Sequence, residues 1–164
     1  MNKIKIGIAR EGKIPPDNRV PLTPWEVIEA QNIFPAFKIV VQTSGIRCFA
    51  DESYSNLNIP VVEKLDDCDI ILGIKEFQVE DLIPEKTYLF FSHTIKKQSY
   101  NRKLLRSILD KKIKLIEYEC LTDNFGKRVI AFGRFAGIVG AYNGLLGYGK
   151  KFNLYHIKPV SYTH

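Results

Sequence analysis

The segment DIILGIKEFQVEDLIPEKTYLFFSHTIKKQ, residues 69–98, decides the fold. It contains two short apolar runs, residues 70–74 and residues 88–91, which are bounded by polar residues and rich in β-branched or aromatic side chains. Runs of this kind are typical of strands that are buried on both faces of a parallel sheet. The first run ends at Lys75, and the second leads to His93. The segment therefore predicts two strands that each present an ionisable side chain at the carboxyl end.

Three further runs extend this pattern along the chain. Residues 113–118 are mostly apolar and lead into Glu119, residues 39–41 are β-branched, and residues 4–8 alternate isoleucine with lysine or glycine. Short bounded runs and strict alternation both predict strands. The chain is therefore expected to build one sheet from several short strands.

A helix is predicted between the strand that leads to His93 and the strand that leads to Glu119. Apolar residues recur at helical spacing between residues 100 and 109, so this segment is expected to make a right-handed crossover between parallel strands. A turn at residues 123–126 predicts a β-hairpin near residues 115–132. The predicted fold is α/β: a Rossmann-like (flavodoxin-like), open and mostly parallel sheet with helices on both faces.

The carboxyl ends of these strands predict a functional site. In an open parallel sheet, the ligand crevice lies beyond the carboxyl ends of the strands. Lys75, His93 and Glu119 each follow a predicted strand, so we expect them to converge on one crevice. The alternative for each is an ordinary structural or surface role, and Glu119 is also placed to cap the following turn.

Arg19 is a candidate for binding a carboxylate. Thr23, Pro24 and Glu26 have the spacing of a capping box with proline at the first helical position, which predicts that a helix begins here. Arg19 lies just ahead of this helix, where its guanidinium and the helix amides could together hold an anion. A surface salt bridge is the alternative.

Composition predicts a soluble, cytoplasmic, globular domain. Of the 164 residues, 45% are hydrophobic and 26% are charged, which suits one sizeable core. The sequence has neither an apolar run long enough to span a membrane nor the apolar segment of a signal peptide at its N-terminus. The three cysteines form neither a CxxC pair nor a cluster with histidine, so we expect reduced thiols and no metal site.

Two other features predict no ligand. The net charge of +6 comes from dispersed lysines and arginines, which favours a solvated surface over a nucleic-acid site. The glycine-rich segment GLLGYGKK, residues 144–151, follows a helical pattern and matches neither GxGxxG nor a Walker A loop. We therefore expect no cofactor-binding residues in this chain.

Four segments carry a resemblance to a known family. They are IGIAREGKIPPDNRVPLTP, LGIKE, FFSHTIKKQ and YECLTDNFGKRVIAFGRFAGIVGAYNG, in this order along the chain. Together they resemble the N-terminal domain shared by alanine dehydrogenase, lysine-forming saccharopine dehydrogenase and proton-translocating transhydrogenase. The resemblance covers about residues 4–148. The motifs SHTIKKQ, GKRV and AFGRFAG look closer to saccharopine dehydrogenase than to alanine dehydrogenase.

The resemblance implies roles for six residues. Arg19 corresponds to an arginine that binds a substrate carboxylate, and Lys75 and His93 correspond to the lysine and histidine of the catalytic centre. Glu76 and Glu119 correspond to acidic residues that adjust the protonation of that lysine. Arg128 corresponds to an arginine that binds the dicarboxylic half of saccharopine. The implied catalytic residues are Lys75, His93 and Glu119, and the implied substrate-binding residues are Arg19, Glu76 and Arg128.

The function implied by the resemblance is that of an NAD(P)-dependent amino-acid dehydrogenase. Its reaction would convert saccharopine, NAD+ and water into lysine, 2-oxoglutarate and NADH. Two alternatives remain open: oxidative deamination of the alanine dehydrogenase type, and a non-catalytic module that binds an amino acid, a keto acid or a protein partner. NAD or NADP would be bound mainly by a dinucleotide-binding domain absent from this chain, and assembly into a homo-oligomer is compatible with the resemblance.

The expected domain organisation has three parts. Residues 1–135 are predicted to form the substrate-binding and catalytic domain. Residues 136–150 combine apolar residues at helical spacing with several glycines and are predicted to form an interdomain helix. Residues 151–164 show no periodicity and are predicted to form a linker or a frayed end.

Overall fold

A computed structural model describes residues 3–154 and divides the chain into two compact units, Met1–Val129 and Ile130–His164. The first unit contains the sheet, and the described residues of the second unit contain one long helix. Most of the predicted linker, from residue 155 onward, lies outside the described residues. Its first two residues, Lys151 and Phe152, are helical, so the helix continues beyond its predicted end.

Six strands make up the sheet within the described residues. They are β1 Ile4–Ile8, β2 Phe37–Gln42, β3 Val61–Val62, β4 Ile70–Leu72, β5 Thr87–Phe90 and β6 Lys114–Glu117. Their order across the sheet is β3-β2-β1-β4-β5-β6, and every neighbouring pair is parallel. The predicted open α/β sheet is confirmed.

Four α-helices accompany the strands in the described part of the chain. They are α1 Pro24–Ile33, α2 Asp51–Ser55, α3 Arg102–Asp110 and α4 Arg134–Phe152. Helix α3 is the predicted crossover between β5 and β6. None of the helices in residues 3–154 combines the length and the hydropathy that a membrane crossing needs.

Strand side chains alternate between two core clusters, one on each face of the sheet. One cluster places Ile6 and Ile8 of β1 with Val27 of α1 and Tyr54 of α2. The other cluster contains residues of β4, β5 and α3: Ile71, Tyr88, Phe90, Leu104 and Ile108. Because successive strand residues point to opposite faces, α1 and α2 cover one face and α3 covers the other.

The predicted hairpin is much smaller than expected. Strand β6 ends at Glu117, where the chain enters the 3₁₀ turn Tyr118–Cys120. The Glu117 carboxylate accepts a hydrogen bond from the amide of Glu119 at 3.2 Å, which favours the turn over a continued strand. The returning segment makes one isolated antiparallel bridge, between Thr122 and Arg128.

Candidate active site

The topology places the candidate site where the strand order reverses. Strand β1 lies between β2 and β4, so the connections from β1 and from β4 leave toward opposite edges of the sheet. The crevice beyond the carboxyl ends at such a point is the usual ligand site of an open α/β sheet. The loops after β1, β4, β5 and β6 carry the residues described below.

Glu11, which follows β1, holds the backbone that carries Lys75. Its two carboxylate oxygens accept hydrogen bonds from the amides of Ile74 at 2.6 Å and Lys75 at 2.9 Å. Burial raises the pKa of Glu11, and these two hydrogen bonds oppose that shift. Sequence reasoning did not select Glu11; its signal was an acidic residue almost directly after the first strand.

Glu76 joins the β4 loop to His93. One Glu76 oxygen lies 2.5 Å from Nδ1 of His93, and the other lies 2.7 Å from Nζ of Lys13. The Glu76 side chain is only 14% exposed. Burial raises the pKa of Glu76, but the hydrogen bonds from Lys13 and His93 outweigh burial, so the pKa lies below its usual range. Lys13 was not selected from the sequence.

His93 has an unusual backbone conformation. Its φ of 54° and ψ of 12° lie in the left-handed region, which is uncommon for residues other than glycine. The imidazole stacks on Phe91, with ring centroids 6.2 Å apart and an interplanar angle of 19°. A conformation of this kind persists only where surrounding contacts hold it, and it is concentrated at functional sites.

Glu119 is a buried carboxylate between two cations. Its Oε1 lies 3.2 Å from Lys96 Nζ and 3.2 Å from Arg128 Nη1, and its side chain is 8% exposed. Oε2 has no hydrogen-bond partner within residues 3–154. Burial raises the pKa of Glu119, but Lys96, Arg128 and His93 together outweigh it, so the pKa is lowered. Lys96 is the second cation that sequence reasoning missed.

Arg19 is paired with Asp17. Nε of Arg19 donates to Asp17 at 2.8 Å, and Nη2 donates to the second oxygen of the same carboxylate. This bidentate pair raises the pKa of the Arg19 guanidinium, whose side chain is still 56% exposed. The predicted capping box is confirmed. The Thr23 hydroxyl accepts a hydrogen bond from the amide of Glu26 at 3.3 Å, and the Glu26 carboxylate accepts one from the amide of Thr23 at 2.7 Å. The amides of Thr23 and Glu26 are therefore occupied by the capping box.

Lys75 lies near the Asp17–Arg19 pair. The hydrogen bond from Arg19 is the main cause that lowers the pKa of Asp17, and the charge of Lys75 contributes to the same shift. Lys75 is partly buried, and its ammonium forms no hydrogen bond or ion pair with any other residue of the described range. Its nitrogen is therefore available to a ligand.

The predicted site residues form two neighbouring groups at this end of the sheet. Arg19 and Lys75 both lie close to Asp17, while His93 is bonded to Glu76 and is close enough to Glu119 to influence its pKa. Arg128 joins the second group through Glu119. Lys75 belongs to the first group, and Glu76, the next residue in sequence, belongs to the second. Their catalytic and substrate-binding roles stay predictions.

The described residues do not fit a dinucleotide. The connection after β1, where a Rossmann fold places the pyrophosphate, carries the carboxylates of Glu11 and Asp17 and no glycine fingerprint. The glycine-rich residues 144–151 lie inside α4. Within residues 3–154, no cluster of three or more histidine, cysteine or acidic side chains could hold a metal.

Comparison with known sequences identifies relatives over most of the chain. The family model described as alanine dehydrogenase/PNT, N-terminal domain, matches residues 7–139. Alpha-aminoadipic semialdehyde synthase of Bos taurus is 39% identical over 148 residues, which are 90% of this chain and 16% of that protein. A saccharopine dehydrogenase [NAD(+), L-lysine-forming] of Emericella nidulans is 33% identical over 150 residues, or 86% of this chain and 38% of that protein.

Solved structures show the same fold. An L-alanine dehydrogenase superposes with a TM-score of 0.61 at 19% identity, covering 76% of this chain and 35% of that one. A transhydrogenase from Sinorhizobium meliloti superposes with a TM-score of 0.59 at 16% identity, covering 73% of this chain and 36% of that one. The chain spans about a sixth of the length of the Bos taurus relative and less than two fifths of the other three.

Proposed function

Since this chain belongs to the alanine dehydrogenase/PNT N-terminal domain family, we propose that it is the substrate-binding and proton-transfer domain of an NAD(P)-dependent amino-acid dehydrogenase acting on saccharopine. The reaction converts saccharopine, the oxidised cofactor and water into lysine, 2-oxoglutarate and the reduced cofactor. The observation that carries this proposal is the 2.5 Å contact between His93 and Glu76, next to Lys75, at the carboxyl ends of two adjacent parallel strands.

The His93–Glu76 pair favours proton transfer. The ionised Glu76 carboxylate occupies Nδ1 of His93, which leaves Nε2 as the ring nitrogen that can exchange a proton with a substrate. The Lys75 ammonium has no partner in the described range and supplies a second group. Oxidation at a carbon that bears nitrogen, addition of water and cleavage of the carbon–nitrogen bond each move protons, so two such groups suit the reaction.

The cations around the site favour a substrate with several carboxylates. Arg19 and Lys75 both lie close to Asp17, and Lys96 and Arg128 flank Glu119. Saccharopine carries three carboxylates, whereas alanine carries one. The unpartnered Oε2 of Glu119 could accept a hydrogen bond from the substrate ammonium group. Relatives at 33% to 39% identity bear the names saccharopine dehydrogenase and aminoadipic semialdehyde synthase, which agrees with this choice.

The described residues carry no group that accepts a hydride. A nicotinamide supplies the hydride acceptor when it is bound, but the described residues form no dinucleotide site, so binding and proton transfer are the roles assigned here. The proposal requires a dinucleotide-binding domain elsewhere in the protein or complex.

An assay of the full-length protein tests the substrate. Oxidation of NADH or NADPH should be observed with lysine plus 2-oxoglutarate and should be much slower with ammonia plus pyruvate. The reverse preference would refute saccharopine and support the alanine dehydrogenase alternative. Absence of turnover with both pairs would refute the dehydrogenase proposal.

A variant of Lys75 tests the proton-transfer role. Lys75→Met should lower kcat by at least about 100-fold, since a positioned acid or base contributes about that much. Lys38→Met is the matched control, because Lys38 is exposed on β2. An unchanged kcat in Lys75→Met, with unchanged thermal unfolding, would show that Lys75 is not the base.

A further inference from the structure

Glu117, at the end of β6, connects the loops that carry His93 and Glu119. Its Oε2 accepts hydrogen bonds from the amide of Ser92 at 2.9 Å and from the Ser92 hydroxyl. Its Oε1 accepts a hydrogen bond from the amide of Glu119 at 3.2 Å. One carboxylate therefore holds the backbone at Ser92, next to His93, and at Glu119, in the segments that follow two different strands.

Ser92 extends this contact across His93. The serine is fully buried and has only one hydroxyl proton, which it donates to Glu117. Its oxygen then accepts from the amide of Thr94 at 3.2 Å and from the Thr94 hydroxyl at 2.8 Å. Both neighbours of His93 are thus tied to the same carboxylate.

The hydrogen bonds of Ser92 and Thr94 explain the unusual backbone conformation of His93. A residue with φ of 54° tends to relax unless its flanking residues are fixed. Ser92 and Thr94 are fixed through Glu117, and His93 is held in the orientation that brings Nδ1 within 2.5 Å of Glu76. Releasing the carboxylate removes the contacts that oppose relaxation of this turn.

We propose that Glu117 is a positioning residue that fixes the backbone of both His93 and Glu119. It acts on His93 through Ser92 and on Glu119 through the Glu119 amide. The functional part of this inference rests on the proposed function, because that assigns roles to His93 and Glu119. The geometric part rests on the hydrogen bonds alone. Glu117 need not touch the substrate in this role.

Hydrogen exchange of the full-length protein tests the geometric part. Glu117→Gln replaces one of the two acceptor oxygens with an NH₂ group, which cannot accept a hydrogen bond from a backbone amide, so the amide of Ser92 or that of Glu119 should exchange at least about tenfold faster. Glu29→Gln, on the exposed side of α1, is the matched control and should leave both amides unchanged. Unchanged exchange at both amides in Glu117→Gln would overturn the inference.

Kinetics test the functional part. Glu117→Gln should lower kcat about tenfold to a hundredfold and shift the pH dependence of kcat, because a displacement of about 1 Å at a catalytic group has effects of this size. KM should change by less than about threefold, since the cations that hold the carboxylates remain. A pH profile and kcat that match those of Glu29→Gln would overturn the positioning role.

Two further variants keep the inference testable if Glu117→Gln does not fold. Glu117→Asp retains the charge but is one methylene shorter, so it should restore the contact with either Ser92 or Glu119 and give an intermediate kcat. Ser92→Ala should lower kcat, because it removes the hydroxyl that links Glu117 to Thr94. An unchanged kcat in Ser92→Ala would contradict action through Ser92. Failure of the proposed function is distinguishable, because the wild-type protein would then lack turnover while the exchange rates still respond.

Discussion

At the scale of single residues, the carboxylates near the strand ends fall into two groups according to their partners. Glu11 and Glu117 accept hydrogen bonds from backbone amides and thereby hold loops in place. Glu76 and Glu119 face cationic or histidine side chains and keep a lowered pKa despite burial. The first group determines where the second group and its neighbours lie.

The pairing of Arg19 with Asp17 yields a prediction about substrate binding. Asp17 occupies the guanidinium that a substrate carboxylate would need, so Asp17→Asn should lower KM for 2-oxoglutarate, by less than about fivefold because Arg19 is largely exposed. Steady-state kinetics of the full-length protein would measure this, with Asp110→Asn on the exposed end of α3 as the control. A higher KM in Asp17→Asn would show instead that Asp17 orients Arg19 for the substrate.

The lowered pKa of Glu119 predicts a pH dependence of stability. A carboxyl whose pKa is lower in the folded protein than its ordinary value of 4.5 stabilises the fold above about pH 4.5. That stabilisation is lost as the pH falls through the lowered pKa. The free energies of unfolding of the wild type and of Glu119→Gln, measured with urea, should therefore differ near neutral pH and become similar in acid. A difference that stays constant from neutral to acid pH would contradict an ionised Glu119 in the folded state.

At the scale of secondary-structure elements, the exit of β4 is shaped by a close approach between Gly73 and Phe77. A Cβ atom at Gly73 would lie 2.6 Å from Cε2 of Phe77. Phe77 in turn packs edge-on against Tyr88 and Phe90, with centroid distances of 5.1 Å and 4.9 Å, so moving its ring would disturb these contacts. The loop that carries Lys75 therefore depends on a glycine at its start.

Replacement of this glycine should destabilise the protein. Gly73→Ala is expected to lower the free energy of unfolding by about 1–3 kcal/mol, as overpacking of a filled core does. Gly45→Ala is a matched control, since a Cβ atom there meets nothing within 4 Å. The midpoint of urea unfolding would be measured for each of the two variants. Equal midpoints for the two variants would mean that the Phe77 ring can yield.

At the scale of the whole chain, both core clusters lie in the unit that ends at Val129. Their described members extend from Ile6 to Leu115 and include no residue of the second unit. Burial of apolar side chains provides most of the stabilisation of a domain. The sheet with its three shorter helices is therefore expected to contain its own stabilising core.

Truncation tests this expectation. A chain that ends at Val129 should unfold cooperatively, with a Tm within about 5 °C of the full 164-residue chain, which corresponds to roughly 1 kcal/mol. A chain that ends at Lys112 lacks β6, which pairs with β5, and should not fold. Circular dichroism during heating distinguishes these cases. Loss of the cooperative transition in the longer fragment would show that the core needs residues beyond 129.

The parts of the molecule that local pattern determines were predicted well. Alternating and bounded apolar runs predicted the strands, and the spacing of Thr23, Pro24 and Glu26 predicted the start of α1. These features depend on residues a few positions apart, which a sequence displays directly. The hairpin was overestimated because the turn residues after β6 were visible, whereas the effect of the Glu117 carboxylate on the backbone was not.

The sequence by itself determined the α/β class, the strand positions and, through its motifs, the family. Only the tertiary structure decided which side chains meet: Glu11 with Lys75, Lys13 with Glu76, Lys96 with Glu119, and Glu117 with Ser92. Those partners are separated by between 23 and 64 positions in sequence. Periodicity extends over only a few residues, whereas contacts at the carboxyl ends of parallel strands depend on the order of strands across the sheet. The strand order therefore decided which side chains are neighbours at this site, and no local sequence pattern displays that order.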